Sequence, residues 1–154
     1  MKVFGALLCM LLFGVLALFV SQRLVESGRE DVAFGRTVDH AERHARTMTE
    51  QSGALLADRR SAAAALESDE RGGHGISTLY AFQRRGSTAT EVVLYTVPYE
   101  KAALPFSSGT GAARRCFTIV YAAVGTPETT SHVTAHDSES SCAQIAEEVD
   151  AAER

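Results

Sequence analysis

Residues 3–20, VFGALLCMLLFGVLALFV, form an unbroken apolar run of eighteen positions, and beyond it the apolar positions thin out and become periodic. A helix rises about 1.5 Å per residue, so the run covers about 27 Å, close to the roughly 30 Å hydrocarbon core of a bilayer. It predicts a transmembrane signal anchor over residues 1–23, in contact with membrane lipid through residues 3–20. A cleaved secretory signal is the competing reading, and Lys2 supplies its basic start. The best small-x-small cleavage site, Val15-Leu16-Ala17, lies inside the run, however, and cutting there would leave Leu18, Phe19 and Val20 on the new terminus.

In residues 24–70 the pattern is helical. Phe34, Val38, Ala41, Ala45, Met48, Leu55, Ala62 and Leu66 fall on three- and four-residue steps, with Ser52 and Arg59 at the two missing positions. One or two helices are expected here as a stalk, with a break near Gly28, Gly35 or Gly53, since each glycine costs about 1 kcal/mol in a helix interior. The stripe is built of small residues, which suits packing on the domain's own sheet better than a coiled coil.

A glycine cluster, Arg71-Gly72-Gly73-His74-Gly75, marks the change to strand periodicity. Residues 76–84 alternate, with Ile76, Thr78, Tyr80 and Phe82 on one face. Arg85-Gly86-Ser87 supplies a turn, and residues 91–97 are β-branched-rich, so a hairpin is expected. Pro98 is expected to stop the second strand, and residues 104–111 to form a long connection. CFTIVYAAV, residues 116–124, is the most apolar stretch after the first run and reads as a central strand; residues 129–136 read as a polar edge strand. Ser141 and Gln144 fit a capping box that opens a last helix, with Cys142, Ile145, Val149 and Ala152 on one face. The fold class is therefore α+β: an N-terminal transmembrane helix, a helical stalk over 24–70, and a three- or four-stranded antiparallel sheet with a C-terminal helix over 71–154.

Charge and cysteine usage bear on location. The chain carries −4, and residues 24–154 carry −6, because Lys2 and Arg23 are the only charges before them. That balance disfavours nucleic acid, which needs clustered cations. Thirteen arginines against two lysines, with abundant alanine, fit a GC-rich bacterial gene. Arg23, Arg29 and Arg36 follow the run and favour a cytoplasmic domain, but long C-terminal domains cross membranes largely regardless of charge. Cys9 sits in the run, leaving Cys116 and Cys142, an even number that suits an oxidising compartment. The expectation is an extracytoplasmic domain with a Cys116–Cys142 disulfide, against the alternative of two buried free thiols.

Candidate chemistry is sparse. His40 and His44 stand four apart and share a helix face, as two zinc-binding imidazoles must, but Ala41 occupies the place of the glutamate in the familiar peptidase helix. A polar surface helix explains the pair more simply. His132 and His136 repeat the interval in a strand or loop, with no defined convergence. Gly109-Thr110-Gly111, near Arg114 and Arg115, precedes a strand and lacks a third glycine, which argues against a phosphate loop. Ser107 and Ser108 have no base partner in sequence. No catalytic residue and no cofactor is expected, and the four histidines are the only candidate metal ligands.

These features predict a non-enzymatic, single-pass extracytoplasmic domain that binds an envelope protein or itself, with Tyr80, Tyr95, Tyr99 and Phe106 as candidate contacts, most of them expected in the core. The alternatives are an anchored metal-dependent hydrolase using the histidine pairs, and a cleaved, secreted inhibitor or ligand. An apolar helix running into a stalk and an antiparallel sheet is similar in outline to pilin-type subunits. Their processing motif and the acidic residue within their hydrophobic segment are absent, so the likeness is one of architecture and assigns no family.

Overall fold

The computed structural model describes residues 2–51, 55–71, 75–101, 109–137 and 140–152, and for residues 2–9, 11 and 69–71 the backbone alone. The fold is α+β. In chain order it comprises α1 (Lys2–Glu50), α2 (Arg59–Arg71), β1 (Ile76–Arg85), β2 (Thr88–Glu100), β3 (Thr110–Ala122), β4 (Thr130–Ala135) and α3 (Cys142–Ala151). The strands form one antiparallel sheet in the order β1-β2-β3-β4, which makes β2 and β3 central and β4 the polar edge that its sequence predicts.

Side-chain alternation along β2 and β3 sets the layers. Odd-numbered Ala89, Val93, Tyr95, Phe117, Ile119 and Tyr121 bury against α1 and α2 together with Ala41, Ala45, Met48, Leu56, Ala62 and Leu66. Even-numbered Val92, Leu94 and Cys116 face the other way and pack with Cys142, Ile145, Ala146 and Val149 of α3. A sheet covered on both faces needs apolar residues at successive positions, which is why residues 92–93 and 116–117 do not alternate. Each fully buried large side chain, such as Phe117, Met48 or Leu56, contributes about 1.5–3 kcal/mol.

Each of the eight apolar positions of the periodic stripe is buried or half-buried, seven of them on the packing faces of α1 and α2 and Leu55 in the connection between the helices. α1 runs unbroken through Gly28 and Gly35 and ends at Glu50, so the break falls between α1 and α2, next to Gly53, which itself lies outside the described residues. Asp58 caps α2, its Oδ1 accepting from the Ser61 N–H at 2.8 Å, and this bond is what holds its carboxyl below the ordinary range. Among the described residues no helix is long and apolar enough to cross a membrane. The side chains of residues 3–9 and 11, eight of the eighteen positions of the apolar run, lie outside them.

Four local expectations are corrected. Tyr80 is an extra residue in β1, because Leu79 pairs with Val93 and Ala81 with Val92. The bulge shifts the parity, so Leu79 and Phe82 share the α1/α2 face while Ile76, Thr78 and Tyr80 are exposed. The Arg59 guanidinium donates to the Tyr80 carbonyl at 3.1 Å, which satisfies a group at the disrupted ladder. Pro98 does not stop β2: pairing with β1 ends at Thr96, so the missing donor falls where that edge of β2 is open. Thr110 and Gly111 belong to β3, with Gly111 opposite Tyr99, whose ring fills the space a side chain would need. Ser141 is the N-cap of α3, but its side chain makes no capping bond; α3 is instead fixed at Cys142.

Candidate functional site

The half of α1 that meets the sheet presents Ala33, Thr37, His40, Ala41, His44, Ala45 and Met48, all buried. Its alanines let the helix approach closely and leave room for the two imidazoles between them. His40 and His44 are 8% and 3% exposed, so the pair belongs to the core and not to a polar surface. His44 Nε2 lies 3.1 Å from Glu91 Oε2 on β2, and Tyr121 on β3 donates its hydroxyl to the same oxygen at 3.1 Å. Two acceptors would repel at that distance, so a proton lies between imidazole and carboxyl. Burial, then the Glu91 charge and its hydrogen bond, push the Tyr121 hydroxyl far above the ordinary tyrosine range. One turn along, His40 stacks on Tyr95 with ring centroids 6.3 Å apart, and Tyr95 meets Phe117 edge-on at 5.7 Å.

The His44 and Glu91 side chains are 2% and 0% exposed. A catalytic acid or base must come within about 3 Å of a substrate proton, so this sealed network acts on the fold and not on a ligand. Its geometric effect is to fix the rotation and register of α1 on the sheet. Sequence reasoning missed Glu91 as the partner of His44 and Tyr121 as the second donor to that carboxylate. The available signal was an acid at position 91, on the same strand face as Ala89, Val93 and Tyr95.

Open surface lies nearer the free end of α1. A trough of about 410 Å³ runs between Arg36, Asp39, His40 and Arg43 on the helix and Val97 and Pro98 on β2. It adjoins a second, of about 520 Å³, that includes Val25, Val32 and Tyr99. Arg29 closes the far side by donating to the carbonyls of Glu100 and Lys101 at 3.1 and 3.3 Å. Loss of solvent, followed by the charges of Glu30 and Glu26, raises Tyr99 above the ordinary tyrosine range. The walls carry both signs of charge, which selects no simple anion or cation.

The remaining candidates do not converge. His132 is exposed on β4, whereas His136 turns its Nε2 to Thr118 Oγ1 at 2.9 Å. Arg115 donates to the His136 carbonyl at 2.9 Å. Among the described residues no three His, Cys, Asp or Glu side chains are placed to hold a metal ion. Tyr95 is buried, Tyr99 half-buried and Tyr80 exposed at the bulge; Phe106, Ser107 and Ser108 lie outside the described residues. Cys116 and Cys142 stand at disulfide distance, with Cα atoms 5.5 Å apart, joining β3 to the start of α3. No protein-family model matches the chain, and no curated protein or solved structure matches it either.

Proposed function

We propose that the chain is a single-pass membrane protein whose helix–sheet domain stands outside the cytoplasm as a non-catalytic binding or envelope-assembly module. The observation that carries this reading is the free half of α1. Met10, Leu12, Phe13, Val15, Leu16, Leu18, Phe19 and Val20 are 46–76% exposed and point to every side of the helix. A helix that is apolar all round needs an apolar surrounding, and the domain supplies none. Leaving these side chains in water costs on the order of 10 kcal/mol, which lipid would offset. The cysteine pair supports an oxidising location, because such a bridge persists outside the reducing cytoplasm.

Two measurements test the reading. Alkaline carbonate extraction should leave the full chain in the membrane pellet. Membrane-impermeant thiol reagent on intact cells should label Cys116 and Cys142 only after reduction. Release into the supernatant removes the anchor, and labelling that needs lysis but no reduction places the domain in the cytoplasm.

A further inference from the structure

Past the apolar run, α1 does not become polar on every side. Val25 and Val32 remain 51% and 57% exposed, and with Leu18, 63% exposed, they form a seven-residue series. Gly14, Ser21, Gly28 and Gly35 form a second seven-residue series between them. The positions run 14, 18, 21, 25, 28, 32, 35, which is the alternating four-and-three spacing of a coiled-coil seam. At about 100° per residue, this face lies well round the helix from the one that Thr37, Ala41 and His44 press on the sheet, and its Val25, Gly28 and Val32 form the helix wall of the trough that β2 borders at Pro98, Tyr99 and Glu100. It is open: a Cβ at Gly14, Gly28 or Gly35 would meet nothing within 4 Å. Lipid covers Leu18, but Val32 stands about 18 Å further along the helix than Val20, beyond the reach of the hydrocarbon.

We propose that this face docks a second copy of the chain, α1 against α1 in parallel. The orientation rests on the anchoring proposed above, since two copies anchored in one sense bring their helices together in parallel. The small residues allow close approach of the backbones, and a strict seven-residue repeat wraps the pair left-handed. The flanking charges fit this arrangement. In a parallel pair, the residue before each valine position faces the residue five places on in the other helix. For Val32 those positions are Asp31 and Arg36, both exposed and neither in an ion pair among the described residues, so the two-fold axis gives two opposite-charge contacts; for Val25 they are Leu24 and Arg29, which form no such pair. The next seam positions are Asp39 and Glu42, which would face like charges, so the seam ends at Gly35.

Cysteine scanning of the full-length chain in lipid vesicles, in a Cys9→Ser background, tests the interface. Under mild oxidation, V25C, G28C, V32C and G35C should each give about tenfold more disulfide-linked dimer than R23C or S27C on the other faces. D31R or R36D alone should weaken dimerisation about tenfold and the double exchange D31R/R36D should restore it, as expected for two exposed pairs made repulsive and then re-formed. Dimer yields equal at all positions, no dimer, or no recovery in the double exchange would overturn the proposal. Flotation of the same vesicles separates the two readings: a chain that floats but shows no seam dimer loses the interface alone, and one that does not float loses the anchor on which it rests.

Discussion

Tyr121→Phe removes one hydroxyl from a closed network and leaves the ring in place. The lost bond is the O–H donated to Glu91 Oε2 at 3.1 Å, in a site where both residues are fully buried. A hydrogen bond to a charged group contributes about 1.5–3 kcal/mol, so the variant should be less stable by about 2 kcal/mol at pH 7. For a domain of this size that lowers Tm by about 6–10 °C. The pH dependence makes the test specific. Tyr121 in the folded chain keeps its proton well above its ordinary value of 10.0, while the unfolded chain loses it there. The stabilisation is therefore complete below pH 10 and declines above it by about 1.4 kcal/mol per pH unit, because the unfolded state is the one that releases the proton. The difference between wild type and variant should hold constant from pH 7 to 9.5 and close by about pH 11.5. Urea unfolding of the full chain in detergent micelles, followed by near-ultraviolet circular dichroism, reads both quantities. A difference under about 0.5 kcal/mol at pH 7, or one that does not narrow above pH 10, would refute the account of the network.

Replacing Cys116 and Cys142 by serine should cost about 3.5 kcal/mol in the chain-entropy model, given their separation of 26 residues, and reductant should lower the urea midpoint of wild type but not of the variant. Asp58→Asn should destabilise α2 at neutral pH. Because the Asp58 carboxyl titrates below its ordinary 3.8 when folded, its stabilisation is present above that value and is lost as pH falls through it, so thermal melts of wild type and variant should converge near pH 2. Gly75 has φ +108° and an added Cβ would lie 2.9 Å from the Thr96 carbonyl oxygen, so Gly75→Ala should lower stability by about 1–3 kcal/mol in the same melts, and an unchanged Tm would remove the close approach of Gly75 to β2.

The helix and strand order was legible because the signals were repeated over many residues. The stripe from Phe34 to Leu66 needs only the period of a helix, and CFTIVYAAV needs only a covered strand. What failed to be legible depends on one residue meeting a distant one. The Tyr80 bulge shifts the buried parity of β1, and nothing within residues 76–84 marks the extra residue. Pro98 reads as a stop because the sequence does not say where β1 ends along β2. His44 reads as a surface residue because its polar neighbours Glu42 and Arg43 are exposed, whereas its own position is set by Glu91, 47 residues away. In the folded chain the four-residue histidine spacing serves contact with one aromatic residue, Tyr95, and one acid, Glu91.

The two halves of α1 are parts of one device. No proline interrupts the helix, which spans 49 residues and so extends about 74 Å. The sealed contact of His44 with Glu91, which Tyr121 also holds, prevents the sheet-bound half from rotating, and a continuous helix carries that fixed rotation to the free half. The direction in which Val25, Gly28, Val32 and Gly35 face is thus set by a buried acid on β2. The packing that stabilises the domain therefore also sets which face of the free half is turned toward the second copy proposed above.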